Sequence, residues 1–281
     1  MTLRVARAAL FAMVPAELLL AVLLVSGVPL PHPVIVAAEV AVAAVLVLEA
    51  VAAYRLFREA RRAGAGRRAS WRTAYERLVP VQVRRIMGFD WKGLTSLALW
   101  AARRRDGVPP GATAHSYSGA QTSTMLMFLF AMVVELVGLE IILRAIDAPA
   151  GLRAVVFVID AYSILIVLAI VAACITRPHV VTEDEIRLRY GAFFDLRVPR
   201  HLIADVRRVR NYDEKGMVRV TDDHLAIAVA SQTNVVIELT EPVTATRPLG
   251  RRVKVSTIRF YTDDPSAALT ALRRTRSPVP E

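Results

Sequence analysis

The sequence predicts an α+β membrane protein: a four-helix transmembrane bundle built as two hairpins, then a cytoplasmic strand domain closed by a C-terminal helix. Three observations predict it. Hydrophobic residues make up 55% of the 281, and mean hydropathy is +0.43, yet 36 Lys+Arg and 25 Asp+Glu are also present. Apolar and charged residues must therefore be segregated into blocks. Four apolar runs are each long enough to cross about 30 Å of hydrocarbon at about 1.5 Å per residue. Beyond Ile175 the pattern changes to period-two alternation interrupted by turn residues, which reads as strands.

The first run, Ala8–Gly27, follows Arg4 and Arg7 and has the outline of a signal peptide. It is longer than a usual signal core, contains Pro15 and Glu17, and leads directly into another apolar run, so it reads as a retained anchor helix. The prolines of "VPLPHP" fit a tight hairpin to the second run, Pro33–Ala53, which completes residues 1–53. Thr122–Leu143 and Arg153–Ile175, joined by "RAIDAPAG", form the second hairpin within 122–176. Between the hairpins, residues 54–121 carry 13 Arg and one Lys against two Glu and two Asp, a balance of +10. The short loop at Pro31 has no Lys or Arg, and the one at Asp147 is flanked only by Arg144 and Arg153. Positive charge stays inside, so the long loop and both termini are expected in the cytoplasm. Arginine so outnumbers lysine (Lys92, Lys215 and Lys254 only) that the composition suggests a GC-rich bacterial genome, hence a bacterial cytoplasmic membrane.

All three tryptophans lie in the basic loop. Ser70 and Asp90 read as caps of two helices there, one running through Arg77 and the other ending near Arg103–Arg105. In the second, Trp91, Leu94, Ala98 and Ala101 recur at helical spacing. Trp71, Trp91, Trp100, Arg103, Arg104 and Arg105 are therefore the candidate lipid-surface residues, with anionic headgroups of the bilayer as their partner. The alternative is that these helices pack on the strand domain or on the ends of the spans. Topology already accounts for the basic charge, so nucleic acid is not expected as a partner. The polar stretch Val108–Gln121 reads as a Pro/Gly-rich loop leading into the third run, with His115 and Tyr117 as structural residues. Cys174, the single cysteine, reads as a buried, inert thiol.

In residues 177–275, Ile186, Leu188 and Tyr190 alternate with Arg187 and Arg189, Gly191 punctuates, and Phe194, Leu196 and Val198 follow. "LAIAVA", "NVVIEL" and "VKVSTIRFY" supply later strands; "DDPSAALTALRR" has an Asp cap, a first-turn proline and an apolar stripe; 276–281 is a tail. With "LRYGAFFDLRVPRHLIADVRRV", "NVVIELTEPV" and "VSTIRFYTDDPSAALTALRR", this region resembles the bacterial pleckstrin-homology-like (PH-like) domain. The resemblance covers about a third of the chain. It implies a partly open β-barrel of about seven strands capped by a helix, and brings no catalytic residues with it. Only Thr176–Pro178 would tie the domain to the membrane, so one of its faces is expected near lipid; Arg207, Arg208 and Arg210 suit anionic lipid or an acidic partner.

Six acids fall within the spans, of which Glu49 lies near the cytoplasmic end, within reach of the headgroups. Glu39 and Asp160 lie roughly 9–10 Å from the outer face, Glu140 nearer the outer end, and Glu17 and Glu135 near the middle. Glu140 has Arg144 one turn away. Glu17, Glu39, Glu135 and Asp160 have no basic residue within a span. They are thus either protonated hydrogen-bonding groups between helices or functional groups. No span contains histidine, and no phosphate loop, Gly-x-Ser-x-Gly or metal-ligand motif occurs, so no cofactor, metal or nucleophile is identified and the reading leans away from an enzyme. The leading expectation is a non-enzymatic inner-membrane anchor and adaptor that assembles with a protein partner or as a homo-oligomer. A small proton-coupled transporter or channel acting as an oligomer through the carboxylates is the alternative. A membrane enzyme acting on lipid is the third.

Overall fold

The computed structural model describes residues 31–274. The first predicted span, with Glu17, and the tail beyond residue 274 lie outside them. The described residues divide into two compact units: one holds those up to Arg84 together with Val134–Tyr162, the other Arg85–Val133 and those from Ser163 onward.

In the first unit, α1 (His32–Arg62) begins at proline, runs through the second predicted span, and continues well past Ala53. Its end packs against α2 (Arg67–Leu78), where Leu56 and Ala74 are buried and the rings of Phe57 and Trp71 lie 4.8 Å apart. Ser70 sits inside α2 rather than capping it, its hydroxyl donating to the Gly66 carbonyl at 3.0 Å, and the helix starts from extended Gly66. Asp90 likewise lies within a longer helix, α3 (Val81–Ala101), which directly follows Pro80. Serine and aspartate fit caps, but the glycine and proline upstream are the stronger breakers and set both starts.

Among the described residues, two helices are long and apolar enough to cross a membrane: α4 (Gly119–Ala145) and α5 (Ala150–Thr176), joined by a short turn. Large apolar side chains stand naked along both, Phe130 at 69% exposure and Val158 at 63%. From Ala169 onward α5 is largely buried; the stretch before it, residues 150–168, is exposed or half-buried and spans roughly 28 Å of helix, close to one hydrocarbon thickness.

The second unit is dominated by nine strands in two sheets. The first has the order β1 (Thr113–His115), β2 (His179–Val181), β3 (Glu185–Tyr190), β4 (Phe194–Pro199), all antiparallel. The second contains β5 (Ile203–Asn211), β6 (Val218–Thr221), β7 (His224–Ile227), β8 (Thr233–Thr246) and β9 (Arg252–Phe260) in the order β5-β8-β9-β7-β6, with β7 and β9 parallel. Their inner faces, carrying Ile186, Leu188 and Val198 on one sheet and Val235, Ile237 and Ile258 on the other, form one core. Helix α6 (Pro265–Arg274) closes it through Ala268 and Leu272, its first turn capped by the Asp264 carboxylate, which accepts from the Ala267 amide at 2.9 Å.

The stretch that reads as a loop before the third span thus contributes a strand. β1 pairs with β2 in the register Thr113↔Val181 and His115↔His179.

Candidate functional site

The strand domain grips the ends of α4 and α5 in a collar of buried polar groups. Tyr117, fully buried just after β1, stacks on His179 with centroids 4.6 Å apart. Its hydroxyl accepts the Gly191 amide at 2.6 Å. Gly191 has φ +48°, and a Cβ there would lie 3.3 Å from the Cys174 sulfur of α5. The Tyr190 hydroxyl donates to the Gln121 side-chain oxygen at 3.0 Å, which fixes the first turn of α4. The Asp263 carboxylate accepts the Gly119 amide at 3.0 Å and so occupies the electropositive end of α4.

His179 is held from both sides. Its Nδ1 accepts the Arg189 amide at 3.1 Å, leaving Nε2–H to donate to the Tyr261 carbonyl at 3.0 Å. Burial pushes this imidazole down to about 3, so it stays neutral at ordinary pH. Burial likewise pushes the Tyr117 phenol well up.

Arg189 is the least expected member. Strand alternation places it outside with Arg187, yet it is 1% exposed. The turn at Asp106 and Gly107 covers that face, and Arg189 donates to both carbonyls, at 2.8 and 3.0 Å. Gly107, at φ +62°, has no room for a side chain: a Cβ would lie 2.8 Å from the guanidinium groups of Arg187 and Arg189. Asp106 also pairs with Arg177 at 3.2 Å, and its amide donates to the Thr176 carbonyl at the end of α5 at 2.8 Å. Arg177 reaches on to the Ser96 hydroxyl of α3 at 3.1 Å. The tie between strands and helices is therefore far broader than Thr176–Pro178.

Beside the collar, at the ends of α4 and α5, opens a cleft of about 580 Å³. Trp100, Arg103, Arg104, Arg105, Ser116 and Ser118 line it. Four of the six predicted lipid-surface residues are thus brought together. Trp91 is on the opposite face of α3, 70% exposed, in a stripe with Met87, Leu94 and Ala98. The other face of α3 is the packed one: a Cβ on Gly93 would lie 3.3 Å from that of Ala169, and Phe89 meets Phe193 edge-on at 5.2 Å. Helix α3 therefore has two apolar faces, one covered and one open. Trp71 belongs to the other unit.

Among the described residues the span acids Glu135, Glu140 and Asp160 sit in different surroundings. Glu140 is bonded by Arg144 at 2.7 Å and, across the turn, by Arg153 at 3.0 Å. Glu135 is exposed on α4. Asp160 is half-buried, and its Oδ2 is shielded from solvent with no hydrogen-bond partner. The Glu39 side chain, like Glu17, lies outside what is described.

His115 is separated from Tyr117 chemically as well: it bonds the Thr113 hydroxyl at 3.2 Å and lines a different cleft, between β1, β2 and α6. Among the described residues no group of three or more His, Cys, Asp or Glu could hold a metal ion. Sequence reasoning missed Arg189, His179 and the Asp106–Gly107 turn; the only prior signal was a lone Asp-Gly pair between basic and Pro-rich stretches. Comparison with protein-family models, with curated proteins and with solved structures finds no match for this chain.

Proposed function

We propose that the protein is a non-enzymatic membrane anchor and adaptor: a four-helix membrane part, termini in the cytoplasm, carrying a PH-like domain held against the membrane of a bacterial cell for assembly with a partner. The collar is the observation that carries this reading. A domain that buries the ends of two apolar helices in its own polar network is held at a fixed position on them. Two sheets and a closing helix in this chain order support the PH-like assignment, with nine strands where about seven are expected and one strand supplied ahead of the third span. Edge strand β5 and its connection to edge strand β6 leave Val209, Tyr212 and Met217 open, a surface suited to a partner.

Cysteines placed singly at Pro31, Ala148 and Gly64 test the topology, since the native Cys174 is buried. An impermeant thiol reagent should label the first two in intact cells and spare Gly64. Labelling at Gly64 would overturn the orientation.

The unpartnered Asp160 oxygen favours a second reading, proton-coupled transport by an oligomer. A Glu135→Gln, Asp160→Asn double variant separates the two. It should fold and assemble normally in an anchor; loss of cellular function by a well-folded variant would instead establish transport chemistry.

A further inference from the structure

The geometry points to a discrete binding site in the cleft beside the collar for the phosphate headgroup of one anionic phospholipid. This inference rests on the membrane-anchored reading above. It goes beyond a basic loop attracted to a negative surface, because it assigns one ligand to one place.

The state of the arginines makes the case. Around the collar, Arg177, Arg187 and Arg189 all have carboxylate partners. Arg103, Arg104 and Arg105 have no ion pair or side-chain hydrogen bond among the described residues, although they stand side by side on one cleft. The hydroxyls of Ser116 and Ser118, on the same cleft, have no such bond among the described residues either. The backbone holds the cations at some cost. Helix α3 ends in a turn where the Arg104 amide donates to the Leu99 carbonyl at 2.8 Å and Arg103 takes φ +53°. That left-handed position ordinarily favours glycine. Arginine there gives up backbone stability to place a third positive charge.

The rest of the lining identifies the ligand as an amphiphile. Trp100 and Ile175 add apolar surface beside the charges, and the cleft opens at the ends of the two helices long and apolar enough to cross a bilayer. A headgroup phosphate would sit among the guanidinium groups and serine hydroxyls, with its glycerol and upper acyl chain towards Trp100 and Ile175. Guanidinium groups give a phosphate charge-assisted, directional bonds. A soluble phosphate ester shares the phosphate chemistry but has nothing to place on the apolar side.

The test uses the full chain carrying Trp71→Phe and Trp91→Phe, so that Trp100 is the sole fluorophore. The protein is reconstituted in phosphatidylcholine nanodiscs, and phosphatidylglycerol brominated in its upper acyl chains is titrated in. Saturable quenching of Trp100 at low mole fraction is expected, well beyond that given by brominated phosphatidylcholine. Arg104→Gln and Arg105→Gln should each weaken the apparent affinity about fivefold. Arg103→Gly should weaken it similarly while leaving the thermal midpoint unchanged or higher, which separates ligand loss from misfolding. Removing twice that charge elsewhere, by Arg67→Gln with Arg68→Gln, should change nothing.

Equal quenching by the two brominated lipids would overturn the site. So would an equal effect of the Arg67, Arg68 variant, which would mean diffuse attraction. Relief of quenching by millimolar glycerol phosphate would assign the cleft to a soluble phosphate ester and overturn the lipid assignment. Failure of the chain to enter nanodiscs at all would overturn the membrane anchor together with the site.

Discussion

Ile258 in β9 and Ile141 in α4 are the same residue in opposite surroundings, 0% and 61% exposed. In the strand domain the apolar side chains of the core are withdrawn from solvent, and the buried His179, Tyr117 and Thr262 find hydrogen-bond partners. Along α4 and α5 the apolar side chains face outward while the backbone is satisfied within each helix. The first arrangement is stable in water; the second is costly there and suits an apolar solvent. The collar is where the two meet, and its composition follows from that position. A polar backbone leaving a helix end there must be paired by protein: the Asp106 amide donates to the Thr176 carbonyl and the Asp263 carboxylate accepts the Gly119 amide.

The sharpest way to break this comparison is to truncate both isoleucines. Ile258→Ala should destabilise the domain by about 2–5 kcal/mol, measured by denaturant unfolding of the protein in detergent or nanodiscs. Ile141→Ala should change the same midpoint by less than about 0.5 kcal/mol. A comparable loss at Ile141 would mean that α4 is covered by protein rather than lipid.

A smaller effect is expected from pH. His179 has a folded value near 3 against an ordinary value of 6.5, so below pH 6.5 the unfolded chain binds a proton that the folded one refuses. The contribution of the neutral imidazole is complete above pH 6.5 and falls by up to about 1.4 kcal/mol per pH unit as pH drops towards 3. Melting curves between pH 7 and pH 4 should show this slope, and His179→Asn should flatten it. An unchanged slope in the variant would remove His179 as its origin.

Smaller again is Tyr117→Phe, which keeps the ring and its stacking but leaves the Gly191 amide buried without an acceptor. A loss of about 1–2 kcal/mol is expected, visible as a lower thermal midpoint with an unchanged near-ultraviolet spectrum of the remaining aromatics.

Much of the periodic structure was legible in the sequence. Thr122–Leu143 and Arg153–Ile175 fall inside α4 and α5, and Ile186–Tyr190, Phe194–Val198 and the closing helix emerge from alternation and a proline-opened first turn. These signals are local, and local signals survive in a single sequence. β1 did not show, because three residues within a Pro/Gly-rich stretch have no period and their partners lie 64 to 68 positions away. Arg189 misled for a related reason. Alternation assigns it to the outer face, but that face is roofed by a turn that precedes two whole helices. Of the candidate site, the tryptophans and arginines were legible as a composition; their division between two units and two faces of α3 required the fold. The parallel pairing of β7 with β9 left no trace in either strand.

Because β1 precedes α4 and β2 follows α5, β1 cannot pair until both helices have been made. The segment holding Thr113–His115 leaves the ribosome well before its hydrogen-bonding partner exists. It must wait, unpaired and adjacent to Arg103–Arg105, until both apolar helices have been synthesised and brought their ends back to the same side. Closing the first sheet then reports that the start of α4 and the end of α5 have come together. A chain whose α5 fails to return keeps Tyr117, Gly191 and the Arg189 guanidinium apart, and presents quality-control proteases with an open edge and an unfilled core.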